Sequence, residues 1–153
     1  EFRRVLFRSD GAPVAGVVFA PAIGRLFVGA EGEGAFEIAN GAAKSIFARV
    51  PASDGLVAVS SKSHPDAKTD ELLKTLPIKG RTNAGSSLKF CLVAAGEADI
   101  YPRAGHTMEW DTAAGDAVLR AAGGRMTAWE GEDFVYGKPG FHNGAFIARG
   151  RSQ

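Results

Sequence analysis

Asp111 stands between an aromatic residue and a run of small residues in the stretch GHTMEWDTAAGDAVLRAAGG, residues 105–124. Aspartate is favoured at helix N-termini, so Asp111 can serve as a helix cap. Trp110 beside it instead suggests a partly buried carboxylate, which needs a partner or a cation. Glu109 and Asp116 make the neighbourhood acidic, as at a magnesium site. One carboxylate is still too few for a catalytic metal site, which needs several oxygen ligands.

A second candidate site lies in GSSLKFCLVAAG, residues 85–96. Gly85 permits a tight turn, and Ser86 and Ser87 stand where a helix is predicted to begin. The unpaired N–H groups of a helix start can bind phosphate, and Lys89 would add a full positive charge. The alternative is that Ser86 caps a buried helix. Both interpretations stay open at this point.

Two more polar positions follow apolar strands. SSKSH, residues 60–64, ends one apolar run, and ligands of α/β sheets gather at the carboxyl ends of strands. Ser63 and His64 can therefore hydrogen-bond an anionic or heterocyclic ligand. Arg103 follows another predicted strand, and its guanidinium suits bidentate binding of phosphate. Each of these residues also fits a solvated loop.

The elements that must position these residues alternate between strands and helices, which predicts the α/β class. An amphipathic surface helix is expected at 66–76, with Leu72, Leu73 and Leu76 on one face. The segment 39–55 is expected to be a polar connection. Other helices are expected at about 86–95 and 111–122, and strands at 13–21, 25–38, from 56, from 81, 98–101, 125–129 and 145–150.

The bulk properties exclude several classes of protein. A length of 153 residues predicts one domain. The net charge of +1 gives no global indication of binding to nucleic acid or to an anionic membrane. Cys91 is the sole cysteine, so no internal disulfide forms, which fits a reducing compartment. No apolar run reaches the roughly 18 residues of a spanning helix.

The stretch GSSLKFCLVAAGEADIYPR, followed by MEWDTAAGDAVLRAAGG, closely resembles the 3'(2'),5'-bisphosphate nucleotidases of the CysQ type, in the inositol monophosphatase-like superfamily. The likeness covers most of residues 10–150, and WDxxAG at 110–115 matches the superfamily's second signature. The resemblance implies a layered α-β-α-β-α sandwich. It also implies Mg²⁺-dependent hydrolysis of the 3'-phosphate of 3'-phosphoadenosine 5'-phosphate to give AMP, in sulfate assimilation.

The resemblance also assigns roles to residues. Asp111 is implied as a metal ligand close to the substrate. The partner is a small-molecule substrate, with no nucleic acid polymer and no transmembrane segment, and copies of the chain are expected to associate. The implied location is the cytoplasm, with peripheral contact to the inner face of the membrane. The substrate-binding positions that the resemblance implies are Gly85, Ser86, Ser87, Lys89, His64, Arg103 and Asp111.

The sequence departs from this family in one respect. The family's first signature, D-P-L/I-D-G-T, and its upstream glutamate are absent, and residues 1–9, EFRRVLFRS, do not resemble the family. We therefore expect residues 1–9 to be non-native and residues 10–153 to be the C-terminal portion of such an enzyme. No catalytic residue is assigned, little phosphatase activity is expected, and an exposed sheet edge and apolar surface should favour association.

Three alternatives to this interpretation stay open. The first is an inositol-1-monophosphatase. The second is a fragment that binds a nucleotide phosphate without hydrolysing it. The third is an α/β domain with capped helices and no ligand.

Overall fold

In the computed structural model of this chain, the backbone is described for residues 3–61 and 66–152 and the side chains for residues 10–61 and 66–152. The helices are α1 (Ala67–Thr75), α2 (Leu88–Ala94) and α3 (Glu109–Ala121). The strands are β1 (Arg3–Ser9), β2 (Ala12–Ala20), β3 (Arg25–Ala30), β4 (Gly34–Ala39), β5 (Ala42–Ile46), β6 (Leu56–Ser60), β7 (Ile78–Asn83), β8 (Ile100–Arg103), β9 (Thr107–Met108), β10 (Arg125–Ala128), β11 (His142–Asn143) and β12 (Phe146–Arg149).

Two five-stranded sheets organise the chain. The first is an antiparallel meander in the order β1-β2-β3-β4-β5. The second has the order β10-β12-β8-β6-β7, in which β6 runs parallel to β7 and β8 while β12 runs antiparallel to β8 and β10. A short third pair joins β9 to β11.

Helices α2 and α3 lie between the two sheets. Their apolar side chains and the inner faces of both sheets form one buried cluster, in which Val18 and Phe27 come from the first sheet and Phe90 comes from α2. The rings of Phe90, Tyr101 and Phe146 pack together at its centre, with centroids 5.0–5.6 Å apart. Both sheets therefore pack against the same two helices.

Helix α1 covers the opposite face of the second sheet. Its first turn is capped by Asp66, whose carboxylate accepts hydrogen bonds from the backbone N–H and the hydroxyl of Thr69 at 2.7 Å. Leu73 is buried in a second apolar cluster with Ile100 and Ile147 of the sheet. The predicted amphipathic helix at 66–76 is confirmed.

The first sheet differs from the sequence-based expectation. The segment 25–38, expected to be the hairpin partner of 13–21, contains two strands, β3 and β4, because Gly32 and Gly34 take positive φ at a turn between them. The expected polar connection, 39–55, instead begins with the β4–β5 hairpin. Asn40 and Gly41 both have positive φ there, which is the two-residue turn that an Asn-Gly pair favours.

The α/β class is confirmed, and the layers run sheet, helices, sheet, helix. Within the described ranges, no helix covers the outer face of the first sheet, so four of the five implied layers are formed. Cross-strand pairs on that outer face are apolar and partly exposed: Val17 with Val28, Phe19 with Leu26, Leu26 with Ile38, and Val28 with Phe36. None of the described helices is both long and apolar enough to cross a bilayer.

Strand β1 pairs antiparallel with β2, with a shift of register between Phe7 and Arg8. This pairing does not test whether residues 1–9 are native to the chain. Their assignment as non-native stays a prediction, as does the association of copies. The start of α2 also differs from expectation, because the helix begins at Leu88 and its N-terminal flanking residue, Ser87, makes no side-chain capping bond. Helix α3 begins at Glu109, two residues before the expected start.

Helices α2 and α3 approach closely where Phe90 meets Gly115. A Cβ atom placed on Gly115 would lie 2.6 Å from Cδ2 of the Phe90 ring, far inside van der Waals contact. Only glycine allows this approach. The glycine of the WDxxAG pattern is thus explained by the aromatic residue of the SSLKF stretch.

We expect Gly115→Ala to lower the free energy of unfolding by about 1–3 kcal/mol, because the added methyl overpacks the α2–α3 contact. At an unhindered helical position the same change would be stabilising by up to about 1 kcal/mol. Urea denaturation measures the difference. Gly144→Ala is the control, since nothing lies within 4 Å of its added Cβ. A Gly115→Ala protein as stable as the parent would contradict the close contact.

Candidate functional site

A cavity of about 320 Å³ opens where β6 and β8 end and where α2 and α3 begin. Ligands of α/β sheets commonly bind at the carboxyl ends of strands. Candidate residues that are far apart in the sequence therefore line the same cavity. The residues that line it are Ser61, Ser86, Lys89, Phe90, Tyr101, Arg103, His106, Thr107, Asp111 and Thr112.

Lys89 is the most buried charge in this cavity, with 4% of its surface exposed. Its Nζ donates to the carbonyl of Ala84 at 3.3 Å and lies 5.1 Å from the centre of the Tyr101 ring. Burial, and secondarily the positive charge of Arg103, lower the pKa of Lys89 to about 8. A desolvated ammonium group of this kind gains more from an anionic ligand than a solvated one does.

Arg103 supplies a second cation to the same cavity. It is the last residue of β8, and its Nε donates to the carbonyl of Gly105 at 3.3 Å. Two of the phosphate-binding residues expected from the sequence, Lys89 and Arg103, are thus brought together by the fold. With α2 only seven residues long, these two charges provide most of the attraction for an anion.

Asp111 lies on the cavity wall in the first turn of α3. Its Oδ2 accepts the backbone N–H of Met108 at 3.0 Å, so the carboxylate does cap the helix, from the third helical position rather than the first. Its carbonyl accepts the hydroxyl of Ser87 at 3.0 Å. The prediction that Asp111 is the N-cap residue is therefore wrong, because Met108 occupies that position, and the role of Asp111 as a metal ligand stays a prediction.

The neighbouring acidic residues do not join Asp111 in one cluster. Glu109 accepts the backbone N–H groups of Gly137 and Lys138 at 2.9 Å. Burial alone would raise the pKa of Glu109, but these bonds lower it on balance. Both carboxylate oxygens of Asp116 lie 3.0 Å from Nε of Arg120. The sequence-based picture of one acidic neighbourhood is therefore wrong.

Trp110 does not contribute to this cavity. It is 53% exposed and packs beside Phe141, with ring centroids 6.2 Å apart. The side chain is on the surface of the molecule and is absent from the cavity lining. Asp111 itself is partly buried, as the sequence predicted, although Trp110 is not part of the cavity wall.

The described residues do not form a complete site for a divalent cation. Among them, no group of three or more histidine, cysteine, aspartate or glutamate side chains is arranged to hold a metal ion. Of the carboxylates in that part of the chain, Asp111 alone lines the cavity. Mg²⁺ needs near-octahedral oxygen coordination, from one or two carboxylates together with water and substrate phosphate.

The other predicted residues have varied positions. Gly85 is exposed in the loop before α2, and Ser86 lines the cavity with a φ of 45°, a left-handed conformation that is strained for serine. Ser87 is fully buried and is held by its bond to Asp111 rather than facing the cavity. Ser63 and His64 lie outside the described residues.

Sequence reasoning missed several cavity residues. His106 and Thr107 lie between β8 and α3, and Nε2 of His106 is 2.8 Å from Nδ1 of His142, within hydrogen-bonding distance. Thr112 lines the cavity, and its hydroxyl oxygen accepts a bond from the Asn143 amide at 3.1 Å. The signal that could have found His106 and Thr107 is their place just beyond the carboxyl end of a strand.

Comparisons with known proteins identify the family of this chain. The sequence model described as the inositol monophosphatase family matches residues 6–152. The chain is 46% identical over 126 residues to the protein named 3'(2'),5'-bisphosphate nucleotidase CysQ of Escherichia coli K12, covering 82% of this chain and 50% of that protein. It is 38% identical over 141 residues to the protein of the same name from Buchnera aphidicola, covering 90% of this chain and 52% of that one.

A solved structure shows the same fold. The crystal structure of CysQ from Bacteroides thetaiotaomicron, described as a bacterial member of the inositol monophosphatase family, superposes with a TM-score of 0.87 at 32% sequence identity. The superposition covers 99% of this chain and 63% of that one. The chain spans about half the length of the curated relatives that it matches.

We expect Lys89→Met to raise the free energy of unfolding at pH 7 by about 1–3 kcal/mol, because it removes a charge that burial disfavours. The folded pKa of about 8 lies below the ordinary value of 10.5. The unfolded parent chain therefore binds more protons between these values, and its stability should increase as pH rises through them.

Denaturation at a series of pH values measures this effect. The increase should be absent in Lys89→Met and retained in Lys74→Met, which changes an exposed lysine of α1. A Lys89→Met chain with the parent's pH profile would contradict the burial of a titrating ammonium group.

Proposed function

Since this chain belongs to the inositol monophosphatase family, we propose that its 320 Å³ cavity is the substrate pocket of a 3'(2'),5'-bisphosphate nucleotidase. The observation that carries the proposal is the placement of two cations, Lys89 and Arg103, in one cavity with the carboxylate of Asp111. The names of its relatives in Escherichia coli and Buchnera aphidicola support the same activity.

The proposed substrate is 3'-phosphoadenosine 5'-phosphate. Its two phosphate groups carry several negative charges, which a buried ammonium group and a guanidinium group can bind together. The cavity volume lies at the lower end of the roughly 300–1,000 Å³ that small-molecule sites occupy. The aromatic wall formed by Phe90 and Tyr101 adds apolar surface beside these charges.

The residues singled out from the sequence have proposed roles in binding. Lys89 and Arg103 hold phosphate oxygens, and phosphate binding should raise the pKa of Lys89 because it supplies an opposite charge. Ser86 and Gly85 contact the nucleotide from the loop before α2, and Ser87 positions Asp111 through its bond to the Asp111 carbonyl. His64 remains a proposed nucleotide contact on the basis of the family resemblance.

We also propose that hydrolysis depends on Mg²⁺, for which Asp111 is one ligand. The family's D-P-L/I-D-G-T signature is absent from the sequence, so its carboxylates are not available within this chain. The chain by itself is therefore proposed to bind the bisphosphate without hydrolysing it efficiently. A cytoplasmic location, and contact with the inner face of the membrane, stay predictions of the family resemblance.

We expect the purified 153-residue chain, shown to be folded by circular dichroism, to release little phosphate from 3'-phosphoadenosine 5'-phosphate in the presence of Mg²⁺. The reason is that one carboxylate cannot position both a metal and an attacking water. Inositol 1-phosphate as a competing substrate separates the two phosphatase alternatives. Turnover comparable to that of its full-length relatives would overturn this account of the site.

We further expect the chain to bind 3'-phosphoadenosine 5'-phosphate without added metal, and Lys89→Met to weaken that binding at least tenfold, which corresponds to the loss of one charge-assisted contact of about 1.5–3 kcal/mol. Isothermal titration calorimetry measures the affinity. Lys74→Met is the matched control and should leave the affinity unchanged. Equal affinities for the parent and Lys89→Met would show that the phosphate groups bind elsewhere.

A further inference from the structure

A second and larger cavity, of about 820 Å³, lies at the other end of α3. It is bounded by the last turn of α3, the outer ends of β10 and β12 and the loop at 51–53. Of the described residues, none lines both this cavity and the one that contains Lys89. The larger cavity is therefore a separate place on the molecule.

Four arginines line this cavity: Arg120, Arg125, Arg149 and Arg151. Arg125 and Arg149 are direct cross-strand partners in the β10–β12 register, so they occupy the same face of the sheet. Arg149 is exposed, and partial desolvation together with the charge of Arg125 lowers its pKa. Like charges placed opposite each other in this way destabilise a sheet.

The carboxylates near this cavity compensate only part of its positive charge. Arg120 is paired with Asp116 at 3.0 Å, and Arg125 with the exposed Asp133 at 2.9 Å. Asp99, which also lines the cavity, forms a bidentate ion pair with Arg49, with distances of 2.7 and 2.8 Å.

Two guanidinium groups remain. Within the described ranges, no carboxylate lies within salt-bridge distance of Arg149 or Arg151. The cavity therefore carries an excess of positive charge that the described part of the chain does not neutralise.

Thr127 gives an independent indication of a ligand. It lies two residues after Arg125 on β10, on the same face of the strand, and it lines the cavity. The residue is 6% exposed, and its hydroxyl oxygen has no hydrogen-bond partner among the described residues. Buried hydroxyls are nearly always hydrogen-bonded, so a partner from outside the chain would account for this one.

We propose that this cavity binds a small organic anion that carries a phosphate group, at a site separate from the proposed nucleotidase pocket. The guanidinium groups of Arg149 and Arg151 hold the phosphate oxygens, and Thr127 donates its hydroxyl hydrogen to one of them. Leu56, Ile100 and Pro51 form an apolar wall beside these cations, which suits an organic substituent better than a bare inorganic ion. The concave shape favours a small molecule over an extended polymer surface.

The first test is an NMR titration of the ¹⁵N-labelled chain with phenyl phosphate. Its ring suits the apolar wall of the cavity, and its phosphate group suits the guanidinium groups. Chemical shifts should change at Thr127, Gly150 and Arg151, and the change should persist in Lys89→Met. Shifts confined to residues 86–89 and 103–112 would overturn the proposal. If an equal concentration of inorganic phosphate displaced phenyl phosphate completely, the proposed contact between the organic substituent and the apolar wall would be wrong.

Two variants test the residues. Arg149→Gln should weaken phenyl phosphate binding at least tenfold, and Arg81→Gln, on β7 at the opposite edge of the sheet, should leave it unchanged. Thr127→Val should weaken binding severalfold and also raise the melting temperature, because it replaces an unbonded buried hydroxyl with a methyl group. A Thr127→Val chain with higher stability but unchanged affinity would assign Thr127 a structural role alone and contradict its contact with the ligand.

Discussion

The contact between Phe90 and Gly115 is the constraint on which the geometry of the rest depends. It allows α2 and α3 to approach so closely that the start of one helix lies against the start of the other. The bond from Ser87 to the carbonyl of Asp111 fixes the same junction. As a consequence, Lys89 and Asp111, on different helices, share one cavity whose other walls come from the ends of β6 and β8 and from the segments that precede α2 and α3.

The buried acidic residues and the buried lysine of this core differ in how their charges are neutralised. Asp99 and Asp116 are buried, yet each is neutralised by an arginine through paired contacts of 3.0 Å or less. Lys89 is also buried, but among the described residues its ammonium group contacts only a carbonyl and an aromatic face. A buried cation that the described residues do not neutralise lowers stability, and an anion bound at this position would remove that cost.

Helix α3 connects the two cavities. Asp111 and Thr112 in its first turn line the smaller cavity, and Arg120 in its last turn lines the larger one. Thirteen residues of helix span roughly 20 Å, at about 1.5 Å per residue. Ligands at the two ends would therefore not touch each other, and any influence of one on the other would have to pass through the packing of this helix.

The sequence by itself determined the α/β class, the three described helices and four of the residues that line the cavity, Ser86, Lys89, Arg103 and Asp111, because apolar periodicity and short motifs are local signals. The Asn40-Gly41 pair is an equally local turn signal, but the pairing of β4 with β5 on its two sides is visible only in the structure. Only the tertiary structure decided that Glu109 and Asp116 turn away from Asp111, that His106 enters the cavity, and that Arg125 faces Arg149. These outcomes depend on strand register and helix packing between distant segments, which no local pattern specifies.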